Sequence, residues 1–250
     1  MSTASPTRPT ASPRPPASPA SAAAPAAPHY RAHRDSRSSH QRIARLARRL
    51  AQGPILDVGA AQGMLGQLLA GSGLTLDAIE PRAAWAELAR PWYREVFVAP
   101  VEAAPLPART YRTVVCADVL EHTVDPLAVL RRLRAAATAD ALFVVSLPNV
   151  AHLAVRLLLL AGRFPPMERG ILDRTHLHFY TRRTAADLLA AAGLRVERAA
   201  PTGVPLDELW PRGEGHAAYA ALTRLQHLAL RLAPGLCAFQ WVFVARAGDG

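Results

Sequence analysis

Ile55-Leu56-Asp57-Val58-Gly59-Ala60-Ala61-Gln62-Gly63 is the stretch from which the rest of the chain is read. Three of its first four residues are aliphatic, a run of small residues follows, and Met64–Ala70 then takes up helical spacing. A short apolar strand that breaks into small residues and resumes as a helix opens a crossover unit. In an open parallel sheet, ligands bind beyond the carboxyl ends of the strands, which makes this loop a candidate ligand cradle. Gly59 and Gly63 lack a Cβ and adopt positive φ cheaply. A dinucleotide fingerprint needs G-x-G-x-x-G. Here the glycines stand at 59, 63 and 66, so Ala61 and Met64 break that spacing. The next strand-like run ends on Glu80, an acid that can accept two hydrogen bonds from vicinal hydroxyls.

Working outward, strand-like runs fall at Ile55–Val58, Leu74–Ile79, Val96–Ala99, Thr113–Ala117, Leu142–Leu147, Leu194–Ala199 and Gln240–Ala245. Helical patterns at Met64–Ala70, Arg82–Arg90, Pro126–Ala137 and Arg183–Ala192 separate most of them. Strands alternating with helices predict an α/β domain with a mainly parallel sheet covered on both faces. Ser36–Ala51 spaces Ile43, Leu46, Ala47 and Leu50 at threes and fours, with five Arg around them. This predicts an amphipathic helix packing on the domain, with an RNA-facing or membrane-facing helix as the alternative. Glu214–Leu232 is helix-like too, after a Gly/Pro-rich stretch from Thr202 to Gly215.

The chain has 250 residues, half of them hydrophobic, and a formal charge of +10 that suggests a polyanionic partner. All 29 basic residues are Arg. Residues 1–53 carry nine Arg and one acid, hence +8, and residues 54–250 only +2. The excess therefore lies outside the α/β body. Residues 1–28 hold eight Pro, nine Ala and five Ser, too little apolar mass to offset the entropy of ordering. Residues 1–35 are accordingly expected to be a disordered tail, with the working domain at 36–250. Two Cys make no disulfide framework, and no apolar run reaches the 18 residues that suggest a membrane span. A cytoplasmic protein is expected.

ILDVGAAQG, the acid of LDAIEP and TVVCADVLEHTVDP together resemble the class I S-adenosylmethionine-dependent methyltransferases. SLPNVAHLAVRLLLLAGRF and RGILDRTHLHFYTRRTAADLLAAAGLRV resemble, within that class, small-molecule enzymes related to the ubiquinone-biosynthesis O-methyltransferase type. The likeness covers roughly residues 40 to 200. It implies a Rossmann-like, doubly wound, seven-stranded sheet with an antiparallel last strand, and S-adenosyl-L-methionine as cofactor. It also implies that Asp57 positions the cofactor's amino group, that Gly59, Ala61 and Gly63 line the methionine and ribose, and that Glu80 holds the ribose hydroxyls. Asp118 and Val119 would flank the sulfonium end. Ala61 replaces the family's second glycine, and Pro100 stands where the family usually carries an acid that contacts adenine.

Methyl transfer from a sulfonium is an in-line displacement with a neutral leaving group, so positioning supplies much of the acceleration. A hydroxyl acceptor still gains from a base poised near neutral pH. His122, His152, His176 and His178 are candidates; His176 is the first choice for a base, and His122 lies beside the expected methyl. His176 and His178 are two apart, so on an extended segment they face one way and with Asp173 could suggest a metal site. Two His and one Asp over six residues is a weak signal, and no metal is expected. The expected partner is a small-molecule acceptor, apolar or anionic, with residues 148–182 and 202–232 forming its lid or insertion. Ala151–Ala161 fits such a lid or a buried helix equally. The alternatives are an RNA methyltransferase using the basic N-terminus, a cofactor-binding module without catalysis, and a dinucleotide enzyme. The RNA reading lacks an (Asp/Asn)-Pro-Pro-aromatic segment after the fourth strand and a series of stacking aromatics.

Overall fold

The computed structural model describes residues 39–213 and 215–248, so the expected tail at 1–35 lies outside the described residues. Seven strands form one sheet in the order β3-β2-β1-β4-β5-β7-β6. They are β1 (Ile55–Val58), β2 (Leu76–Ile79), β3 (Glu95–Phe97), β4 (Tyr111–Ala117), β5 (Ala137–Pro148), β6 (Leu194–Thr202) and β7 (Gln240–Ala247). β7 runs antiparallel to both β5 and β6, and the remaining pairings are parallel. The direction of winding reverses between β1 and β4. That junction is where an open α/β sheet leaves a crevice at its carboxyl edge.

Side chains alternate across the sheet and feed two separate cores. Leu56, Val58, Val114, Cys116, Phe143, Val145 and Phe243 pack on one face, with Leu130, Leu133, Ala185 and Leu189. Those partners come from α4 (Pro126–Ala136) and α6 (Arg182–Ala191). Ile55, Ala78, Val115, Val144, Val242 and Val244 face the other way, toward Ile43, Ala47, Leu69 and Ala86. Those come from α1 (Ser39–Leu50), α2 (Met64–Leu69) and α3 (Ala83–Ala89). β1 and β2 are buried at every position, as expected of strands covered on both sides.

Local chemistry sets the helix starts. Asp125 caps α4 by accepting from the Ala128 amide at 2.9 Å, with Pro126 in the first turn, and Thr181 and Thr184 form a reciprocal capping box on α6. α1 packs against α2, β5 and β7, which is the packing role expected of it. Its buried side includes Ala44 as well as Ile43 and Ala47, while Leu50 is exposed. β5 begins at Ala137, five residues before the apolar run that announces it, because the Arg- and Ala-rich end of α4 passes straight into extended chain. Asp77, unremarked in the sequence, is buried in β2. It takes both Nε and Nη2 of Arg94 at 2.9 and 2.6 Å and the Tyr111 hydroxyl at 3.0 Å, a paired and satisfied buried charge.

Ala151–Ala161 yields α5 (Leu153–Leu160), and the buried-helix alternative does not hold: only Val155 is buried. Between β6 and β7 the chain forms α7 (Leu206–Leu209), α8 (Ala217–Leu232) and α9 (Pro234–Cys237). No helix among the described residues is long and apolar enough to cross a membrane. Cys116 and Cys237 are both free thiols.

Candidate active site

The loop after β1 is built around left-handed backbone. Gly59 has φ 74°, Ala61 φ 48° and Gly63 φ 84°. At Gly59 a Cβ would come within 2.5 Å of Val119 Cγ2, so glycine is needed there for space as well as for conformation. The amides of Gly59 and Ala60 both donate to the Ile79 carbonyl, fastening the loop to the end of β2. Ala61 is held in its unfavourable region by Glu80, whose Oε2 accepts from the Ala61 amide at 2.8 Å while Oε1 accepts from Arg82 N at 2.9 Å. Glu80 is thus a buried carboxylate that shapes the cradle itself, a function unreadable from an acid at a strand end. Because an L-residue at positive φ is strained, Ala61→Gly is expected to stabilise the fold by about 0.5–1 kcal/mol, net of glycine's greater unfolded-state entropy. A melting temperature at or below wild type would refute this.

Asp57 is buried at the end of β1 on the α1–α3 side of the sheet. Burial pushes its carboxyl up to about 7; the Tyr93 hydroxyl opposes this by donating to Oδ2 at 2.5 Å, and the nearby Glu80 charge adds to it. Tyr93 in turn accepts from the Gly66 amide at 3.0 Å, joining Asp57 to the first turn of α2. Tyr93 lies 36 residues from Asp57, and no local pattern marks it.

Across the junction, Asp118 also sits at positive φ (55°), just after β4. Its Oδ1 accepts from Ser146 Oγ at 2.6 Å and its Oδ2 from Gln240 Nε2 at 2.9 Å, so β5 and β7 hold it from two sides. Val119 touches the Gly59 position. The structure therefore gathers Asp57, Gly59, Ala61, Gly63, Glu80, Asp118 and Val119 at the carboxyl edge. Pro100 opens a turn after β3, and Glu102 in that turn is exposed.

His122 and His176, 54 residues apart, meet edge to face with ring centroids 4.8 Å apart. Leu177 N and His178 N donate to the Glu121 carbonyl at 2.7 and 3.2 Å, clamping the DRTHLHFY segment onto the turn after β4. Burial pushes the His176 imidazole below its ordinary range; its bond to the Ile171 carbonyl and the charges of Asp173 and Asp118 oppose that. His176 and His178 do not face one way, as an extended segment would require. The chain turns between Asp173 and Leu177, and His178 reaches the Val124 carbonyl at 3.3 Å instead. His152 caps α5, accepting from Ala154 N at 3.2 Å. Glu121, adjacent to His122 in LEHT, is buried as well, and an acid beside a histidine after the fourth strand is the one mark the sequence carries of it.

Residues 30–199 match a methyltransferase-domain family. No curated protein sequence matches the chain. Among solved structures, it is similar to YcgJ from Bacillus subtilis, with TM-score 0.58 and 15% identity over 84% of this chain and 98% of that one. It is also similar to a SAM-dependent methyltransferase from Aquifex aeolicus (TM-score 0.52, 15% identity, 85% and 91% coverage). A third is the 1,6-didemethyltoxoflavin-N1-methyltransferase of Burkholderia thailandensis, solved with S-adenosylhomocysteine (TM-score 0.54, 20% identity, 85% and 80% coverage). These likenesses agree with the seven-stranded, Rossmann-like sheet and its antiparallel last strand. The chain belongs to this methyltransferase family and is an S-adenosylmethionine-dependent methyltransferase.

Proposed function

We propose that this enzyme methylates a small molecule at oxygen, binding its cofactor at the β1–β2–β4 edge. The observation that carries the reading is that three held carboxylates and a loop of left-handed backbone lie together at the carboxyl edge of β1, β2 and β4, with the His122–His176 pair following β4. The donor set fits S-adenosylmethionine. Asp57 offers a buried carboxylate to the ammonium, Gly59, Ala61 and Gly63 admit close backbone approach, and Glu80 suits the ribose hydroxyls. Asp118 and Val119 would flank the cofactor's sulfonium end. When bound, the cofactor supplies an activated methyl group on that sulfonium.

On the acceptor side, His176 is the proposed base. Burial lowers its pKa and so favours the neutral imidazole, the form that can take a proton from a hydroxyl. His122 packs against it and limits its freedom. The likeness of the LPN and DRTHLHFY segments to the ubiquinone-biosynthesis type supports oxygen as the acceptor atom. The small heterocycle named for the Burkholderia enzyme supports a small-molecule acceptor. Residues 148–182 and 202–232 are proposed as the acceptor side. There α5 exposes Leu153, Leu157 and Leu160, which suits an apolar acceptor.

The test is a methyl-labelled cofactor offered with a panel of small phenols, amines and RNA, followed by kinetics of His176→Asn on the acceptor found. Label should enter a hydroxylated small molecule. The variant should lose roughly 10²–10⁴-fold in kcat while binding S-adenosylhomocysteine normally, the range for loss of a positioned base. Transfer to RNA alone, or an unchanged kcat, would overturn the reading.

A further inference from the structure

We infer that Glu121, His122 and His176 form a site for one divalent transition metal of the zinc, cobalt or manganese kind, with an open position toward the methyl acceptor. Among the described residues, one potential ligand atom from each of the three lies within 4.8 Å of the others. The carboxylate is the decisive member. Glu121 is 1% exposed, and neither Oε1 nor Oε2 has a hydrogen-bond partner. Buried polar groups are nearly always satisfied, and buried carboxylates are paired or bind metals. Both histidines are already prepared as ligands. His176 Nδ1 lies 3.1 Å from the Ile171 carbonyl and His122 Nδ1 lies 3.2 Å from the Thr175 carbonyl. A carbonyl only accepts, so each Nδ1 carries the proton and each Nε2 is left with its lone pair. Metal-binding histidines are typically oriented and made more basic by such a bond. Thr175 Oγ1 gives its own proton to Asp173 at 2.6 Å, leaving it free to accept from His122 as well, at 3.1 Å.

The clamp between the Glu121 carbonyl and the amides of Leu177 and His178 carries His176 to the other two, so the trio is a product of the fold. Two imidazoles and one carboxylate suit zinc, cobalt or manganese better than magnesium or calcium, which favour all-oxygen sets. Ligand atoms in a tetrahedral zinc site stand roughly 3.3 Å apart, so small side-chain adjustments would close the cluster. Three protein ligands leave a position for an exogenous oxygen. These residues differ from the Asp173, His176 and His178 grouping considered from sequence, because the chain turns between 173 and 177 and sends His178 elsewhere.

The consequence for the reaction rests on the oxygen-methylation reading above. An acceptor hydroxyl at the open position ionises nearer neutral pH. Its O–H bond breaks, the proton leaves to solvent, and an oxygen lone pair forms the C–O bond. The methyl–sulfur bond breaks and its electron pair stays on sulfur. The metal would then do the work otherwise assigned to His176 as a base.

The test uses the full-length, metal-stripped protein, titrated with zinc by calorimetry and with cobalt by visible absorption. S-adenosylhomocysteine binding is measured on the same samples. One equivalent of metal should bind. Glu121→Gln and His176→Asn should each weaken it by more than the roughly 10–100-fold that loss of an outer-shell partner costs. His178→Asn should not change it. Should Glu121→Gln fail to fold, His176→Asn decides. A wild-type protein that binds S-adenosylhomocysteine but no metal overturns the site, as does metal binding indifferent to Glu121 and His176. Metal binding without S-adenosylhomocysteine binding would uphold the site and overturn the cofactor reading instead.

Discussion

Glu80→Ala is expected to weaken S-adenosylhomocysteine binding by roughly 100-fold or more. Two losses combine. In the proposed binding mode the carboxylate no longer accepts from the ribose hydroxyls, and it no longer holds the Ala61 and Arg82 amides that shape the loop. Hydrogen bonds to a charged group contribute about 1.5–3 kcal/mol each, and about 2.7 kcal/mol already corresponds to 100-fold. Ala61, freed from Glu80, would leave its left-handed conformation, so the binding surface changes shape even before the ligand arrives. Calorimetric titration of the variant measures this directly. Glu80→Gln keeps an acceptor oxygen and should fall between wild type and Ala. An affinity within threefold of wild type for Glu80→Ala would remove Glu80 from the site.

Cofactor affinity should also depend on pH through Asp57. Its carboxyl, pushed up to about 7 by burial, is largely protonated below that pH, and only the ionised form attracts the ligand's ammonium. Affinity for S-adenosylhomocysteine should therefore rise nearly tenfold per pH unit below 7 and level off above it, and Asp57→Asn should flatten the profile. Stability of the unliganded protein moves the opposite way. The folded pKa lies above the unfolded value of 3.8, so between the two the native state binds more protons than the unfolded state. Stability then falls as pH rises from about 4 to about 7, by at most on the order of 4 kcal/mol from this group. Above 7 the contribution is constant. Tyr93→Phe removes the hydrogen bond that favours the ionised form and should move the binding midpoint to higher pH. Melting curves and titrations from pH 5 to 8 check both signs. Superimposable profiles for wild type and Asp57→Asn would refute the assignment.

The RNA alternative that the +10 charge suggests gains no support from where that charge lies. The excess sits before residue 54, and α1, the basic helix within the described residues, lays its apolar side on α2, β5 and β7. Arg45, Arg48 and Arg49 are exposed on its other side, and Arg48 donates to the Leu68 carbonyl of α2.

The sheet was legible in the sequence because period and sign are local properties. Ile55–Val58 and Thr113–Ala117 are apolar at nearly every position, as strands covered on both faces must be, and Gly59 and Gly63 mark where the backbone has to turn. The proposed cofactor edge is legible to the same extent, since a single loop and the acid ending the next strand supply most of it. Tyr93 against Asp57, Gln240 against Asp118 and His176 against His122 had no such signature. Each pair is brought together by crossovers and loop packing over 36 to 122 residues, and nothing in the neighbouring sequence encodes that distance. The same holds for Glu121, whose spacing in LEHT is ordinary but whose burial without a hydrogen-bond partner exists only in the folded chain. Sequence alone determined the order of strands and helices, the cradle after β1 and the location of the charge. Tertiary packing decided which carboxylates are buried, which are satisfied and which histidines meet, because desolvation and long-range contact arise only when the chain is folded.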